Sequence, residues 1–550
     1  MAARAYPDDP RSRDLLHAPR MDLFHLPRTL PGATEVAVRL EAAVRAGRPV
    51  AVYGDYDADG ITATAILWRV IRAASPAADV RFYVPDRIDE GYGLNDGALA
   101  GLAAEGVRTV VTVDCGVSAT GPARRAAELG IELLVTDHHH AEAGSVAGAA
   151  AIAHPDLPGR EPAPFTGLCG AAVAFKVAVE FARAWCGGER IAEVLQNELR
   201  AAMPLVAIGT VADVVPLVDE NRVFVKLGLE GMHRWGGVGL QALLAASEID
   251  RARRVDASDV GFRLGPRLNA VGRLGHAALA VELLLTEDAG RARAIVASLD
   301  ELNERRRRMD QEFFGQARAA IDADAAMRES GAIVLADARW HEGVVGIVAA
   351  KVAEAYGRPA ILFAVREDGI AKGSGRSVEG IDILSAVRRS AGHLMLRGGG
   401  HAHAVGLAVR AADVPEFARL VASECAGPLA ALPRSRGRRF DAEARPEELT
   451  VDAVRALEIL RPFGRGNPEP AFLFRAVRPV SAPALFGSAR RHVEFYLPGG
   501  ARAVWWGAAD EAGSLRMGVP VDVVARPSID TYRGSRRVQL VVDEVRPSPA

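Results

Sequence analysis

Residues 50–64 read VAVYGDYDADGITAT, and the rest of the chain is organised around this stretch. The apolar run from Pro49 to Tyr53 predicts a buried strand. It ends in three aspartates at alternate positions, Asp55, Asp57 and Asp59, followed by Gly60. Carboxylates this close raise one another's pKa unless a cation lies between them. Hard divalent ions take carboxylate oxygens, so the cluster reads as one wall of a metal site. In open α/β sheets, ligands collect outside the carboxyl ends of the strands, where these residues fall. Taken alone, the stretch also fits an acidic turn, because Asp and Gly are common turn residues.

Residues downstream separate the two readings. Short apolar runs at 80–84, 109–113 and 131–136 alternate with helical patterns such as Ala63, Ile66, Leu67, Val70 and Ile71. That alternation predicts a doubly wound parallel sheet. Two of these strands also end in acidic residues, at Asp114-Cys115-Gly116 and at Asp137-His138-His139. Neighbouring strands would then bring at least three carboxylates to one sheet edge, which a turn does not explain. A further apolar stretch, 205–211, precedes Asp213. Asp55, Asp57, Asp59, Asp114, His138 and Asp213 are therefore the candidate metal ligands, and histidine among carboxylates favours Mn²⁺ over a pure oxygen site. Consecutive histidines in extended backbone point to opposite sides. One of His138 and His139 is thus expected to ligate and the other to face substrate. No GxGxxG or GxxxxGK[ST] occurs, which excludes those two nucleotide-binding loops.

A chain of 550 residues predicts several domains. Hydrophobic content of 49% with 25% charged residues is that of a globular protein. No apolar run approaches the ~20 residues of a membrane span. The start, MAARAYPDDPRSRD, has no apolar segment, so no signal peptide is expected. Cys115, Cys169, Cys186 and Cys425 form no CxxC pair, which argues against zinc and disulfides and for a reducing cytoplasm. Net charge is −2, so any contact with nucleic acid must be local. The skew to 63 arginines over four lysines, in an alanine-rich chain, fits a GC-rich genome and carries no functional weight.

Taken in order, residues 1–30 read as an extended lead-in and 31–235 as the α/β domain. Amphipathic segments at 236–325 form a helical connector, and a smaller α/β domain covers 326–430. After the basic linker 434–439, five short strands within 431–550 predict a small OB-like barrel. Arg87, just past the second strand, either contacts phosphate or pairs with Asp89 or Glu90. Tyr92, between two glycines, reads as a loop anchor. In GFRLGPRLNAVGRLG (261–275), Arg263, Arg267, Asn269 and Arg273 sit in what reads as a glycine-broken basic loop along a nucleic-acid backbone. The alternative is a helix connector with solvated arginines. Ser374 and Arg376 in GSGRS make an anion cradle on flexible backbone, with Gly399, Gly400 and His401 beside it. Of Trp505 and Trp506, one should face the barrel core and the other outward.

The motifs GDYDADG, DEGYGLN, VDCG, DHH and GTVADVVPL, in this order, resemble the DHH phosphoesterase superfamily. Their form is similar to that of its RecJ family, the bacterial single-stranded-DNA-specific exonucleases. WHEGVVGIVAAKVAE, GSGRS and GGGHAHAVG resemble the DHH-associated domain, and LRPFGRGNPEPAF the segment leading into the OB domain. The resemblance covers roughly residues 35–545. One departure is His401-Ala402-His403, where family members often have HPQ. The resemblance implies hydrolysis of phosphodiesters with two ions, Mn²⁺ or Mg²⁺. It further implies 5′→3′ digestion of single-stranded DNA to 5′-mononucleotides, in repair and recombination. His139 would then stabilise charge on the reacting phosphate, with Asp137 as its catalytic neighbour. A single-strand-binding protein and a helicase are the expected protein partners, and no membrane is. Two rival readings are a relative acting on short oligoribonucleotides or cyclic dinucleotides, and a non-catalytic replication scaffold.

Overall fold

The computed structural model describes residues 9–141, 144–432, 439–487, 490–530 and 536–548. The basic linker 434–439 lies outside them apart from Arg439. The run VAVY forms β1 (Val50–Tyr53), buried along its whole length. It pairs in parallel with β2 (Val80–Tyr83) on one side and β3 (Thr109–Val113) on the other. Strands β4 (Glu132–Thr136) and β5 (Ala151–Ala153) extend the sheet to the order β2-β1-β3-β4-β5, again in parallel. Parallel strands need crossovers that cover both faces, so the central strands β1 and β3 are buried along their whole length rather than on alternate residues. Helices Ala33–Arg45, Ala58–Ala74 and Gly170–Cys186 cover one face, and Asp96–Ala104 and Thr120–Glu128 the other. The chain runs from β1 outward to β2 and then returns to β3 on the opposite side. This reversal leaves a crevice at the carboxyl ends of β1 and β3.

Three readings of the sequence change here. The apolar stretch 205–211 is not strand-like; it belongs to the helix Glu193–Ala212, packed against Ala58–Ala74 and Asp219–Gly231. A helix enclosed by other helices is apolar on several sides and loses its 3.6-residue signature. The segment 261–275 is not a loop. A π-turn, Val260–Leu264, runs into the helix Gly265–Leu274, with Leu264, Leu268 and Val271 buried at helical spacing. Its Gly272 serves close approach: a Cβ there would lie 2.2 Å from the Tyr56 carbonyl oxygen. Finally, the lead-in contains a helix, Pro10–His17, capped by Asp9 and burying Leu15 and Leu16. Eight residues are too few to show a period, and tertiary packing holds them.

The helix Ala289–Ala323 runs 35 residues, roughly 50 Å at 1.5 Å per residue. Ala292, Ile295, Val296 and Leu299 join the first core, while Phe313, Ala317 and Ile321 join the next. One rod therefore spaces two α/β units. The second sheet is mixed, in the order β6 (Ile333–Asp337), β7 (Ala360–Val365), β8 (Ile370–Arg376), β10 (Ala404–Arg410), β9 (Met395–His401). Residues 373–376 of GSGRS thus lie on a strand, not on flexible backbone, and Gly399 and Gly400 lie on β9. Gly373 and Gly375 are pressed against Phe363 and Val405, where a Cβ would lie within 2.7 Å of either side chain.

The C-terminal sheet has seven strands where five were expected. Its order is β11 (Ala442–Glu443), β12 (Phe472–Val477), β16 (Val521–Asp530), β17 (Arg537–Pro547), β15 (Ala501–Trp505), β14 (His492–Leu497), β13 (Ala484–Phe486). The additions, β11 and β13, have two and three residues, too short to carry an alternation signal. Trp505 packs on the core, whereas Trp506 is exposed beside Phe486 and His492. Among the described residues no helix is long and apolar enough to cross a membrane.

Candidate active site

Past β1 the chain turns so that Asp57 caps the helix Ala58–Ala74, its Oδ1 accepting from the amides of Asp59 and Gly60. Among the described residues no hydrogen-bond donor reaches the other Asp57 oxygen. Asp59, in the first turn, faces the N-terminus of the helix Gly170–Cys186 and accepts from Gly170 at 2.6 Å and Ala171 at 2.9 Å. Asp114 follows β3 with φ 62°, a left-handed conformation that Asp tolerates better than most residues. Gly170 lies so close that a Cβ would sit 2.4 Å from Asp114 Oδ1. His138 Nε2 lies 3.1 Å from Asp114 Oδ1, 3.7 Å from Asp213 Oδ2 and 3.8 Å from Asp59 Oδ2.

Three overlapping triads result: Asp55–Asp57–Asp114, Asp114–His138–His139 and Asp59–His138–Asp213, each with ligand atoms within 4.8 Å of one another. All six candidate ligands fall in them, at the crevice between β1 and β3. The histidines do not point opposite ways. Both backbone amides donate to Asp137 Oδ1, which curls the chain beyond β4 and brings the rings to 4.5 Å. The alternation rule fails because these residues are past the strand.

The electrostatics fit a cation site. Burial, then the charge of Asp57, pushes Asp55 well above the carboxylate range. Burial, then Asp59 and Asp57, does the same to Asp114 and raises Asp213 to about 8. Asp59 rises to about 6 through burial and Asp57. Burial, then the charge of His139, holds His138 down at about 3, so it is a neutral imidazole able to ligate. Among the described residues Asp55 Oδ1 is buried without a hydrogen-bond partner, and Asp114 Oδ1 and His138 Nε2, though 3.1 Å apart, are not aligned for a hydrogen bond and have no other. Orphaned buried oxygens are costly unless something absent from the protein atoms satisfies them. A hard divalent cation fits.

His139 differs from His138. Burial works against its charge, but the 2.7 Å contact of its Nδ1 with Asp137 Oδ1 prevails and raises it to about 9. Asp137 in turn accepts from the Val117 amide and stays low despite burial, chiefly through His139. Asp137 therefore positions His139 and lies outside the metal triads.

Beside the cluster the guanidinium of Arg87 lies 4.9 Å over the Tyr56 ring. Arg273, buried, is lowered to about 9 by burial first and then by the charges of Arg87, Arg376 and Arg306. Arg376 donates to Ser374 Oγ at 3.1 Å, and Gly346 in the first turn of Glu342–Tyr356 lets both approach that helix. Arg87, Arg273, Ser374 and Arg376 thus converge, and among the described residues none of the three arginines pairs with a carboxylate. His401 lies near enough that Arg376 and His139 both depress it, after burial and His403. Gly399 and Gly400 lie beside it in the β9–β10 hairpin. Arg263 and Arg267 do not join: Arg267 pairs with Asp300 at 2.6 Å, and Arg263 faces Asp259 and the carbonyl oxygens of Ser247 and Glu248. Asn269 instead accepts from the Ala58 amide at 2.7 Å and steadies the Asp57–Asp59 turn.

Three family models match the chain: the DHH family N-terminal domain over residues 49–210, the DHHA1 domain over 329–427 and the RecJ OB domain over 440–544. The single-stranded-DNA-specific exonuclease RecJ of Bacillus subtilis is 33% identical over 549 residues, 99% of this chain and 67% of that one. The chain belongs to the RecJ family. The RecJ of Thermus thermophilus is 37% identical over 528 residues, 94% of this chain and 71% of its own. Its crystal structure in complex with Mn²⁺ superposes with a TM-score of 0.80 at 34% identity, covering 98% of this chain and 74% of that one.

Two contributors to this RecJ-family site were not legible as such. Tyr92 was read as a loop anchor, yet its hydroxyl lies 3.3 Å from His139 Nε2 and 3.4 Å from the Asp114 carbonyl oxygen. DEGYGLN marked the segment; only the tertiary structure aims the hydroxyl. Gly170 had no signal at all, since its role is to let a helix approach Asp114.

The raised carboxylates also set the pH dependence of the metal-free protein. A group whose folded pKa is raised contributes stability below its unfolded pKa and loses it as pH rises through the folded value. For Asp59 and Asp213 that window runs to about 6 and about 8. The chelator-treated protein should therefore lose on the order of 5 °C in Tm between about pH 5 and pH 9. Mn²⁺ should reverse the loss at high pH. A Tm that rises with pH in chelator would contradict this account.

Proposed function

We propose that this protein is a metal-dependent exonuclease specific for single-stranded DNA, and that it works from the 5′ end with two divalent ions, Mn²⁺ or Mg²⁺. The observation that carries this is the pairing of overlapping carboxylate–histidine triads with a group of arginines that, among the described residues, have no carboxylate partner. Membership of a family whose named members are single-stranded-DNA-specific exonucleases, one with bound Mn²⁺, supplies the substrate class.

A pair of divalent ions, when bound, activates water and steadies the leaving oxygen. Asp55, Asp57, Asp59, Asp114, His138 and Asp213 would hold them. His139, kept cationic by Asp137, offsets charge that builds on the phosphate. Arg87, Arg273, Ser374 and Arg376 hold an adjacent phosphate: guanidinium forks and a hydroxyl match a terminal phosphate better than a diester. A strand touching both sites lies across the two α/β units, which fixes the cleavage register and releases 5′-mononucleotides. The exposed Trp506 offers a stacking surface on the OB domain. A scaffold role is disfavoured because every carboxylate is present, and very short substrates would not need the third domain.

We place the enzyme in the cytoplasm, supplied with strands in repair and recombination by a single-strand-binding protein or a helicase. We take the units as 31–235, 236–325, 326–430 and 431–550, limits within which the matched domains fall. The test of polarity uses single strands labelled at either end, with and without a 5′-phosphate. Arg376→Ala should reduce the preference for the phosphorylated strand by at least about tenfold, one lost charge-assisted contact. Arg376→Lys should restore it only in part. Undiminished preference would place end recognition elsewhere.

A further inference from the structure

Asp213 is the least supported member of its triad. Asp59 is held by two amides of the helix Gly170–Cys186. Among the described residues no hydrogen-bond donor reaches the Asp213 carboxylate, so its place depends on its own backbone. That backbone is unusual: the next residue, Val214, has φ 59°. A β-branched residue keeps this conformation only where its surroundings impose it.

The surroundings come from the segment entering the C-terminal domain. The Leu217 amide donates to the Arg465 carbonyl oxygen at 2.7 Å, and Arg465 Nη1 donates to the Val214 carbonyl oxygen at 3.3 Å. Gly464 and Gly466 allow this contact. A Cβ on Gly464 would lie 2.7 Å from Leu217, and one on Gly466 would lie 3.2 Å from Pro216 and Val218. Two consecutive residues of the helix Asp219–Gly231 bracket the arrangement. Asn221 donates to the Pro216 carbonyl oxygen at 3.0 Å. The buried Arg222 donates to those of Ile459, Leu460 and Arg461 at 3.3, 2.9 and 2.8 Å.

We propose that residues 461–467 are a positioning element for Asp213, with Arg465 its contact on the ligand's own turn. The seating of the C-terminal domain then sets how tightly the Asp59–His138–Asp213 triad holds a divalent cation. This rests on the reading of that triad as a cation site. The coupling is reciprocal, so cation binding also tightens the domain contact.

The test measures Mn²⁺ binding to the full chain, from the resonance of the free ion, alongside Tm without metal. Arg465 is exposed, so Arg465→Ala should keep its metal-free Tm while one Mn²⁺ site weakens about tenfold, as for other residues that orient a ligand. Gly464→Val should weaken the same site by lifting the segment off Leu217, at some cost in metal-free Tm. Arg465→Lys, which still donates to a carbonyl oxygen, should recover most of the affinity. Asp213→Asn separates the two readings. If it weakens Mn²⁺ binding while Arg465→Ala and Gly464→Val do not, the positioning role is overturned and the triad stands. If Asp213→Asn leaves binding unchanged, the triad reading itself falls.

Discussion

Asp114→Asn is expected to lower hydrolysis of single-stranded DNA by more than about 10³-fold in metal-replete buffer, the loss of several kcal/mol of charge stabilisation. Asp114 belongs to two of the three triads, so its removal disturbs every neighbouring ligand. Asparagine is the informative replacement, because it keeps the shape and tolerates the φ of 62° at this position. Alanine would add backbone strain to the lost ligand. The same substitution should raise the Tm of the metal-free protein, since it removes a buried carboxylate repelled by Asp59, Asp57, Asp213 and Asp55. Opposite shifts in activity and stability distinguish a ligand from a packing residue. Retention of more than about a tenth of the wild-type rate would remove Asp114 from the ligand set.

Asp137→Asn is expected to cost about 10²–10⁴ in kcat, the range for a mispositioned proton-bearing histidine, with Mn²⁺ affinity nearly intact. Asp137 itself belongs to none of the metal triads; its carboxylate contacts His139 Nδ1 and accepts from the amides of His138, His139 and Val117, and a His139 kept cationic by it is not a ligand. Without the carboxylate, burial prevails and the pKa of His139 falls from about 9. The alkaline limb of the kcat profile should therefore move to lower pH in the variant. His139→Gln should show the lower rate without that limb. A variant whose pH profile overlays the wild type would mean that His139 does not act in its charged form.

The sequence by itself determined the parallel sheet and the ligand types, for a local reason. VAVY, TVVTV and LLVT are short, almost wholly buried runs followed closely by acids, and burial on both faces leaves a strand no alternation to hide that signal. The candidate ligands Asp55, Asp57, Asp59, Asp114 and His138 lie at or just past the ends of β1, β3 and β4, so their spacing marked them as candidates, whereas Asp213 was marked only by the apolar stretch before it, which is the end of a helix.

What only the tertiary structure decided depends on partners distant in sequence. The segment 261–275 was read as a basic loop because its glycines suggest freedom. It is a helix whose Gly272 is pressed on Tyr56, so that Arg273 reaches Arg87 and Arg376 while Arg267 is taken by Asp300. The apolar stretch before Asp213 is a helix, and a segment some 250 residues away supports the turn that follows. Local pattern reports which residues want burial or bear charge. Which of two arginines meets a carboxylate, and which turns toward other arginines, is settled by helices packing across the molecule, where neither spacing nor period records the contact.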